Sequence, residues 1–150
     1  ASGFNIESKE FLLFPTWEHQ EEIFVKPEFQ NFLNEVLKEK PEKGFNRITS
    51  YAKVLDEKDV DSIETIDALS PFHVWSDTYI KERMNWMPEK PMKVVFLQVF
   101  NIEELKIPLK DEFQGCKSWV EINSDVESRK SVLSNSEIDS KLKEFKEIVN

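Results

Sequence analysis

The order of patterns along the chain predicts an α+β fold, with one mixed or mainly antiparallel sheet of about five strands and helices packed on it. Three observations carry that prediction. "MKVVFLQVF" (92–100) is a continuous apolar run, β-branched and aromatic, and reads as a central strand. "KPEFQNFLNEVLKEKPEKG" sets Phe29, Phe32, Leu33, Val36 and Leu37 at helical spacing, with Pro27 near its start and Pro41 and Gly44 beyond its end. The tail places Ser134 three residues before Glu137, a capping-box spacing, and follows it with Ile138, Leu142, Phe145 and Val149 on one stripe. Strands and helices are interspersed without a regular β–α alternation, which favours α+β over a doubly wound sheet.

The elements follow in order. "EFLLF" (10–14) reads as a buried strand stopped by Pro15. After the helix that begins near Pro27, "FNRITSYAKVL" (45–55) alternates like a half-buried strand. The acidic run "DEKDVDSIETIDAL" is expected to be a loop leading to a short helix or turn. Ser76 is placed to cap "DTYIKERMNW", a helix that Pro88 ends. "ELKIPL" and "KSWVEI" (117–122) read as two further strands joined by "KDEFQG". Residues 123–135 are polar and Ser-rich. The expected organisation is therefore an α+β core over 1–122, a polar loop or linker over 123–135, and a C-terminal amphipathic helix over 136–150 packed on the same domain.

Composition narrows the function classes. Three glycines in 150 residues leave no Gly-rich phosphate loop of either common kind. A net charge of −9 opposes nonspecific attraction to phosphate backbones. Its distribution is uneven, however: 81–93 carries Lys81, Arg83, Lys90 and Lys93 against Glu82 and Glu89, a local basic strip that is equally the pattern of a solvated face. Cys116 is the only cysteine, so no intrachain disulfide forms, in keeping with a reducing compartment. No apolar run approaches the ~20 residues that cross a membrane, and no signal-peptide pattern opens the chain. A cytoplasmic protein without membrane contact is expected. The opening Ala-Ser-Gly reads as a trimmed or partial start.

The rarest side chains then mark candidate sites. Of two histidines and four tryptophans, "FPTWEHQ" (14–20) holds Trp17 and His19 one residue apart, and "PFHVW" (71–75) holds His73 and Trp75 in the same way. Three blocks in order, "EFLLFPTWEHQ", "ALSPFHVWSDTYIKERMNWMPEKP" and "GCKSWVEI", resemble a prokaryotic family known as domain of unknown function 1802. The matching positions are Phe14, Pro15, Thr16, Trp17, His19 and Gln20; then Pro71, Phe72, His73, Trp75, Arg83, Asn85 and Trp86; then Gly115, Cys116, Lys117, Ser118 and Trp119. The resemblance spans about 10–122 and leaves the helix 136–149 outside it. It implies a further strand-rich segment ahead of the first block. It also implies an association with restriction-endonuclease domains, hence a nuclease partner and a restriction, defence or DNA-modification setting, while the family has no established activity from which to decide whether the chain is an enzyme.

Three chemistries compete for these residues. Zinc held by the histidines, Cys116 and a carboxylate such as Glu18 or Glu121 is disfavoured, because no two ligands sit at a metal-binding spacing; neither metal nor cofactor is expected. Cys116 between Gly115 and Lys117 could act as a nucleophile with His19 or His73 as base. The plainer reading is a small buried residue at a strand start. A third reading is a recognition surface. Trp17, Trp75, Trp86 and Trp119 supply flat faces, and His19, Gln20, His73, Arg83, Asn85 and Lys117 supply donors and acceptors for nucleic acid or a nucleotide-like ligand. Against it, tryptophans are commonly core residues and histidines often tie loops together. A binding module is the leading expectation. A small Cys116–histidine enzyme, or a scaffolding domain associating through 136–149, is the alternative. On the leading reading His19, His73, Arg83 and Trp119 should converge on one concave region.

Overall fold

The computed structural model describes residues 8–15, 22–86, 91–110, 119, 126 and 129–150, without the side chains of Glu22 and Trp86. Its elements are β1 (Glu10–Leu12), α1 (Gln30–Lys38), β2 (Phe45–Val60), α2 (Ile63–Ala68), α3 (Asp77–Trp86), β3 (Met92–Pro108), β4 (Arg129–Ser131) and α4 (Asn135–Val149). The fold is α+β. Among the described residues one four-stranded sheet runs in the order β1-β2-β3-β4, so the expected central strand is an inner one.

The chain divides into two compact units. The first comprises Ala1–Pro15, Pro41–Asp56 and Val95–Leu142; the second comprises Thr16–Lys40, Glu57–Val94 and Lys143–Asn150. In the first, β1 pairs antiparallel with β2 (Glu10 opposite Lys53, Leu12 opposite Tyr51), and β3 pairs antiparallel with β4 (Phe100 opposite Ser131). Period-two alternation puts Asn46, Ile48 and Ala52 on the buried face, with Ile48 and Ala52 fully excluded from water. Burying an isoleucine side chain this completely contributes about 1.5–3 kcal/mol. Asn46 is the buried polar exception, and it is satisfied. Its Nδ2 donates to the Pro15 carbonyl at 2.8 Å and its Oδ1 accepts the Arg47 N–H at 2.9 Å. The turn before β2 needs a left-handed residue, and Gly44 supplies it at φ 89°; its carbonyl then accepts the Leu109 N–H at 2.8 Å.

In the second unit Val60, Ile66 and Ile80 form a buried cluster, with Tyr79, Met84, Met92, Val94 and Val149 packed on it. Phe145 is buried and meets the Phe72 ring edge-on, centroids 6.1 Å apart. The expected caps are in place. The Ser76 hydroxyl accepts the Tyr79 N–H at 3.3 Å, and in the first unit Ser134 and Glu137 close a capping box, Ser134 Oγ donating to the carboxylate at 2.9 Å. The Glu137 carboxylate also accepts the Ser134 N–H at 3.2 Å, and the Ser134 hydroxyl in turn accepts the Glu137 N–H at 3.3 Å, which makes the pattern reciprocal.

Four sequence expectations are corrected. β2 continues through "DEKDV", expected as loop, because its acids find a cross-strand cation: Lys93 lies 3.9 Å from Glu57 and 3.4 Å from Asp59. The run 92–100 and "ELKIPL" are one strand, since no glycine or proline breaks the chain before Pro108. A short strand, β4, falls inside the polar stretch expected as loop, held by main-chain pairing rather than apolar alternation. The helix that begins near Pro27 starts as a 3-10 turn, Pro27–Phe29, before α1. Apart from Trp119, the strand expected at 117–122 lies outside the described residues. No helix among the described residues is long and apolar enough to cross a membrane.

Candidate functional site

In the second unit two short segments are laced together. Val25 forms an isolated antiparallel bridge with Trp75; the Lys26 N–H donates to the Val74 carbonyl at 2.9 Å, and the Ser76 N–H donates to the Phe24 carbonyl at 2.8 Å. The Ser76 hydroxyl also donates to the Ile23 carbonyl. Lys26 completes the lacing from its side chain: Nζ donates to the carbonyls of Ser70 (2.7 Å) and His73 (2.9 Å). A proline-containing 3-10 turn, Ser70–Phe72, thus ends in a loop whose carbonyls face an ammonium group. Charged donors of this kind make stronger bonds than neutral ones.

His73 and Trp75 are therefore tied to backbone. His73 Nδ1 accepts the Trp75 N–H at 3.1 Å, which requires a ring nitrogen without a proton. Partial burial, and next the nearby Lys26 charge, hold the imidazole below its ordinary pKa of 6.5, while Asp77 pulls the other way. The Trp75 ring stacks on Tyr79, centroids 4.3 Å apart and planes 22° apart, and Phe24 meets Tyr79 edge-on at 5.5 Å. Trp75 immediately precedes the cap residue of α3, so this contact ties the entering loop to the first turn of the helix. Trp75 nevertheless remains 41% exposed. One turn beyond Tyr79 on the same stripe lies Arg83, exposed, so Trp75, Tyr79 and Arg83 follow one another at four-residue intervals. Asn85 is also exposed but off that stripe. Trp86 is the last residue of α3.

Trp119 belongs to the first unit. It is half-buried and meets the Phe11 ring edge-on, centroids 5.1 Å apart and planes 88° apart. Phe11 lies opposite Ala52, on the buried face of the sheet, so Trp119 packs on the core side. Trp17, His19, Gln20, Cys116 and Lys117 lie outside the described residues. Of the four residues expected to converge, then, His73 and Arg83 share the second unit, Trp119 is in the first, and His19 is not described. Among the described residues no group of three or more His, Cys, Asp or Glu side chains could hold a metal ion.

The opposite, solvent-facing side of the sheet in the first unit carries chemistry that the sequence reading passed over. Phe45, Arg47, Tyr51 and Lys53 alternate on it along β2. Lys106 lies over the Phe45 ring at 4.5 Å, Arg47 pairs with Glu104 at 3.4 Å, and Tyr51 meets Phe100 edge-on at 5.9 Å. The Arg129 guanidinium sits over both rings, 4.6 Å from Tyr51 and 5.4 Å from Phe100, and 3.7 Å from Glu10. Glu10 also takes Lys53 at 3.4 Å. The Tyr51 hydroxyl, and then Lys53 and Arg129, hold the Glu10 carboxyl below its ordinary range. Burial, followed by the bond to Glu10, raises the Tyr51 phenol above 10.0. The period-two run from Phe45 to Lys53 was readable in advance; the partnership with Arg129 was not, because nothing in the sequence pairs β4 with β3. Lys26 was missed likewise, whereas Tyr79 sits at the four-residue spacing from Trp75 that a helix start makes meaningful.

Residues 1–144 match the family model described as Domain of unknown function (DUF1802), a span that runs beyond 10–122 at both ends and takes in most of α4. No curated protein matches the chain. No solved structure matches it either.

Proposed function

The chain belongs to the DUF1802 family, whose description carries no activity, and we propose that it is a non-catalytic binding module for nucleic acid or a nucleotide-like ligand. One observation carries this reading: Trp75, stacked on Tyr79 and 41% exposed, is an aromatic surface set in a loop that Lys26 holds rigid. A flat ring already fixed in place loses little freedom when a base stacks on it, and such stacking contributes about 1–3 kcal/mol per base. Arg83, at the next position of the stripe, offers a cation for a phosphate or a second stacking plane. In a restriction or DNA-modification setting, such a module would hold a strand or nucleotide beside a nuclease partner that does the chemistry.

The test is tryptophan fluorescence of the full chain, titrated with mononucleotides and with short single- and double-stranded oligonucleotides across a salt series. Saturable quenching is expected, with single strands stronger than duplex, and Trp75→Leu should remove it while leaving the fold intact. Each phosphate contact contributes about −0.7 to the log–log salt slope for a single strand, so one or two cations on this stripe predict a shallow slope. Absence of quenching, or equal quenching in the Trp75→Leu chain, would contradict the reading.

A further inference from the structure

We propose that the solvent-facing side of the sheet in the first unit, built by Phe45, Arg47, Tyr51, Phe100, Lys106 and Arg129, is a separate binding surface for single-stranded nucleic acid. It goes beyond the Trp75 reading, since it rests on other residues in the other unit.

The first argument is charge. Among the described residues Arg47, Lys53, Lys106 and Arg129 are the cations of this face, and Glu10, Glu42 and Glu104 are carboxylates that pair with them. Lys53 and Arg129 share Glu10, so one carboxylate serves two cations. The chain as a whole carries −9, and against that background a face on which the described residues gather four cations is less acidic than the average surface. A polyanion can join such a face by exchanging carboxylate partners for phosphates. The second argument is the rings. Phe45, Tyr51 and Phe100 are half-buried, each with a cation beside or over it. Bases can stack on such a surface while guanidinium groups meet the backbone, the arrangement by which open sheets take single strands.

The third argument is preorganisation. Arg129 is held between two rings and a carboxylate, so its planar fork is oriented before any ligand arrives. From Phe45 to Tyr51 the strand spans about 20 Å, room for a short run of nucleotides. The geometry favours a strand over a duplex. A single strand can bring an unstacked base against the rings and exchange a phosphate for a carboxylate, whereas the bases of a duplex are already stacked on one another. Simple cross-strand pairing would account for the ion pairs along the sheet, but it gives no reason for cations to sit over the three rings of this face.

Fluorescence anisotropy of a labelled single strand of about ten nucleotides, titrated with the full chain, tests the proposal. Arg129→Gln and the double change Arg47→Gln with Lys106→Gln alter partly exposed side chains. Each should weaken binding about tenfold and flatten the salt slope by about 0.7 per lost phosphate contact. Phe100→Leu should weaken the single strand about tenfold while leaving binding of inorganic polyphosphate unchanged, because only bases use the ring. Trp75→Leu in the same assay separates the two sites. Loss with Trp75→Leu alone would overturn this proposal and leave the Trp75 reading standing; loss with the sheet variants alone would do the reverse. No binding by the unaltered chain, or polyphosphate competing as well as the strand, would overturn the sheet-face proposal outright.

Discussion

The ammonium of Lys26 donates to the carbonyl of His73 at 2.9 Å, joining two residues that lie far apart in the chain. This bond, with its companion to Ser70, sets the shape of the loop that presents Trp75. Two main-chain ties, at Val74 and Ser76, join the same loop to the backbone of Phe24 and Lys26. The half-buried position of Lys26 keeps these bonds partly out of competition with water.

Lys26→Met should therefore loosen the loop as well as lower stability. Hydrogen bonds to charged groups contribute about 1.5–3 kcal/mol each. Two such bonds, each taken at the low end of that range because Lys26 is only half-buried, should cost about 3 kcal/mol when a stem of similar length replaces the lysine, measured by urea denaturation. Trp75 fluorescence should broaden and shift to the red in the same variant.

His73 should titrate below 6.5, and its depression should shrink in Lys26→Met, since the ammonium is one of its causes. A histidine whose folded pKa is lowered favours the neutral ring, so its contribution to stability is present above the unfolded value of 6.5. That contribution is lost as pH falls from 6.5 toward the folded value, where the unfolded chain binds the extra proton. Proton resonance titration of the imidazole, assigned with His73→Asn, measures the shift; an imidazole titrating at or above 6.5 would refute it.

The capping box of α4 predicts a local effect at acid pH. Ser134→Ala should cost about 1 kcal/mol, the usual value of a lost N-cap. The Ser134 bonds hold Glu137 below 4.5, so the cap's support is present above that pH and fades as pH falls through the folded value. Amide exchange across the first turn of α4 should speed up in the variant and, for the unaltered chain, at low pH.

Asn46→Leu should cost more than a surface change, because the half-buried Pro15 carbonyl loses the donor it has in the buried Asn46 side chain, and the Arg47 N–H loses its acceptor. A buried polar group left unpaired costs about 1–3 kcal/mol. Thermal or urea unfolding checks it, and a neutral outcome would mean that the 15–46 tie is dispensable to the sheet.

Elements were legible where periodicity and caps agreed. Ser76, Ser134 and Glu137 announced their helix starts, and the run 92–100 announced an inner strand. Boundaries were lost where tertiary pairing decided them. The acids of "DEKDV" looked like loop until Lys93 lay across from them, and β4 has no pattern of its own beyond pairing with Phe100 to Ile102. The candidate site divides in the same way. The Trp–His spacing of "PFHVW" marked a real local construction, in which His73 accepts the Trp75 N–H. Its fastening by Lys26 depends on a contact that no local spacing encodes. Trp119 was open to reading as a stacking face or as a core residue, and its packing on Phe11, on the core side of the sheet, depends on a contact between distant segments.

The central proposal is binding of nucleic acid through the exposed Trp75 ring and through the half-buried rings of the sheet face with the cations beside them. Amide and indole resonance mapping of the isotope-labelled full chain, on addition of a short single strand, tests it most directly. The account predicts saturable shifts at the Trp75 indole N–H and at the amides of Tyr51, Lys53, Phe100 and Arg129, with buried Ile48 and Ile66 unmoved. A spectrum unchanged at saturating strand, or shifts confined to residues away from both aromatic surfaces, would contradict it.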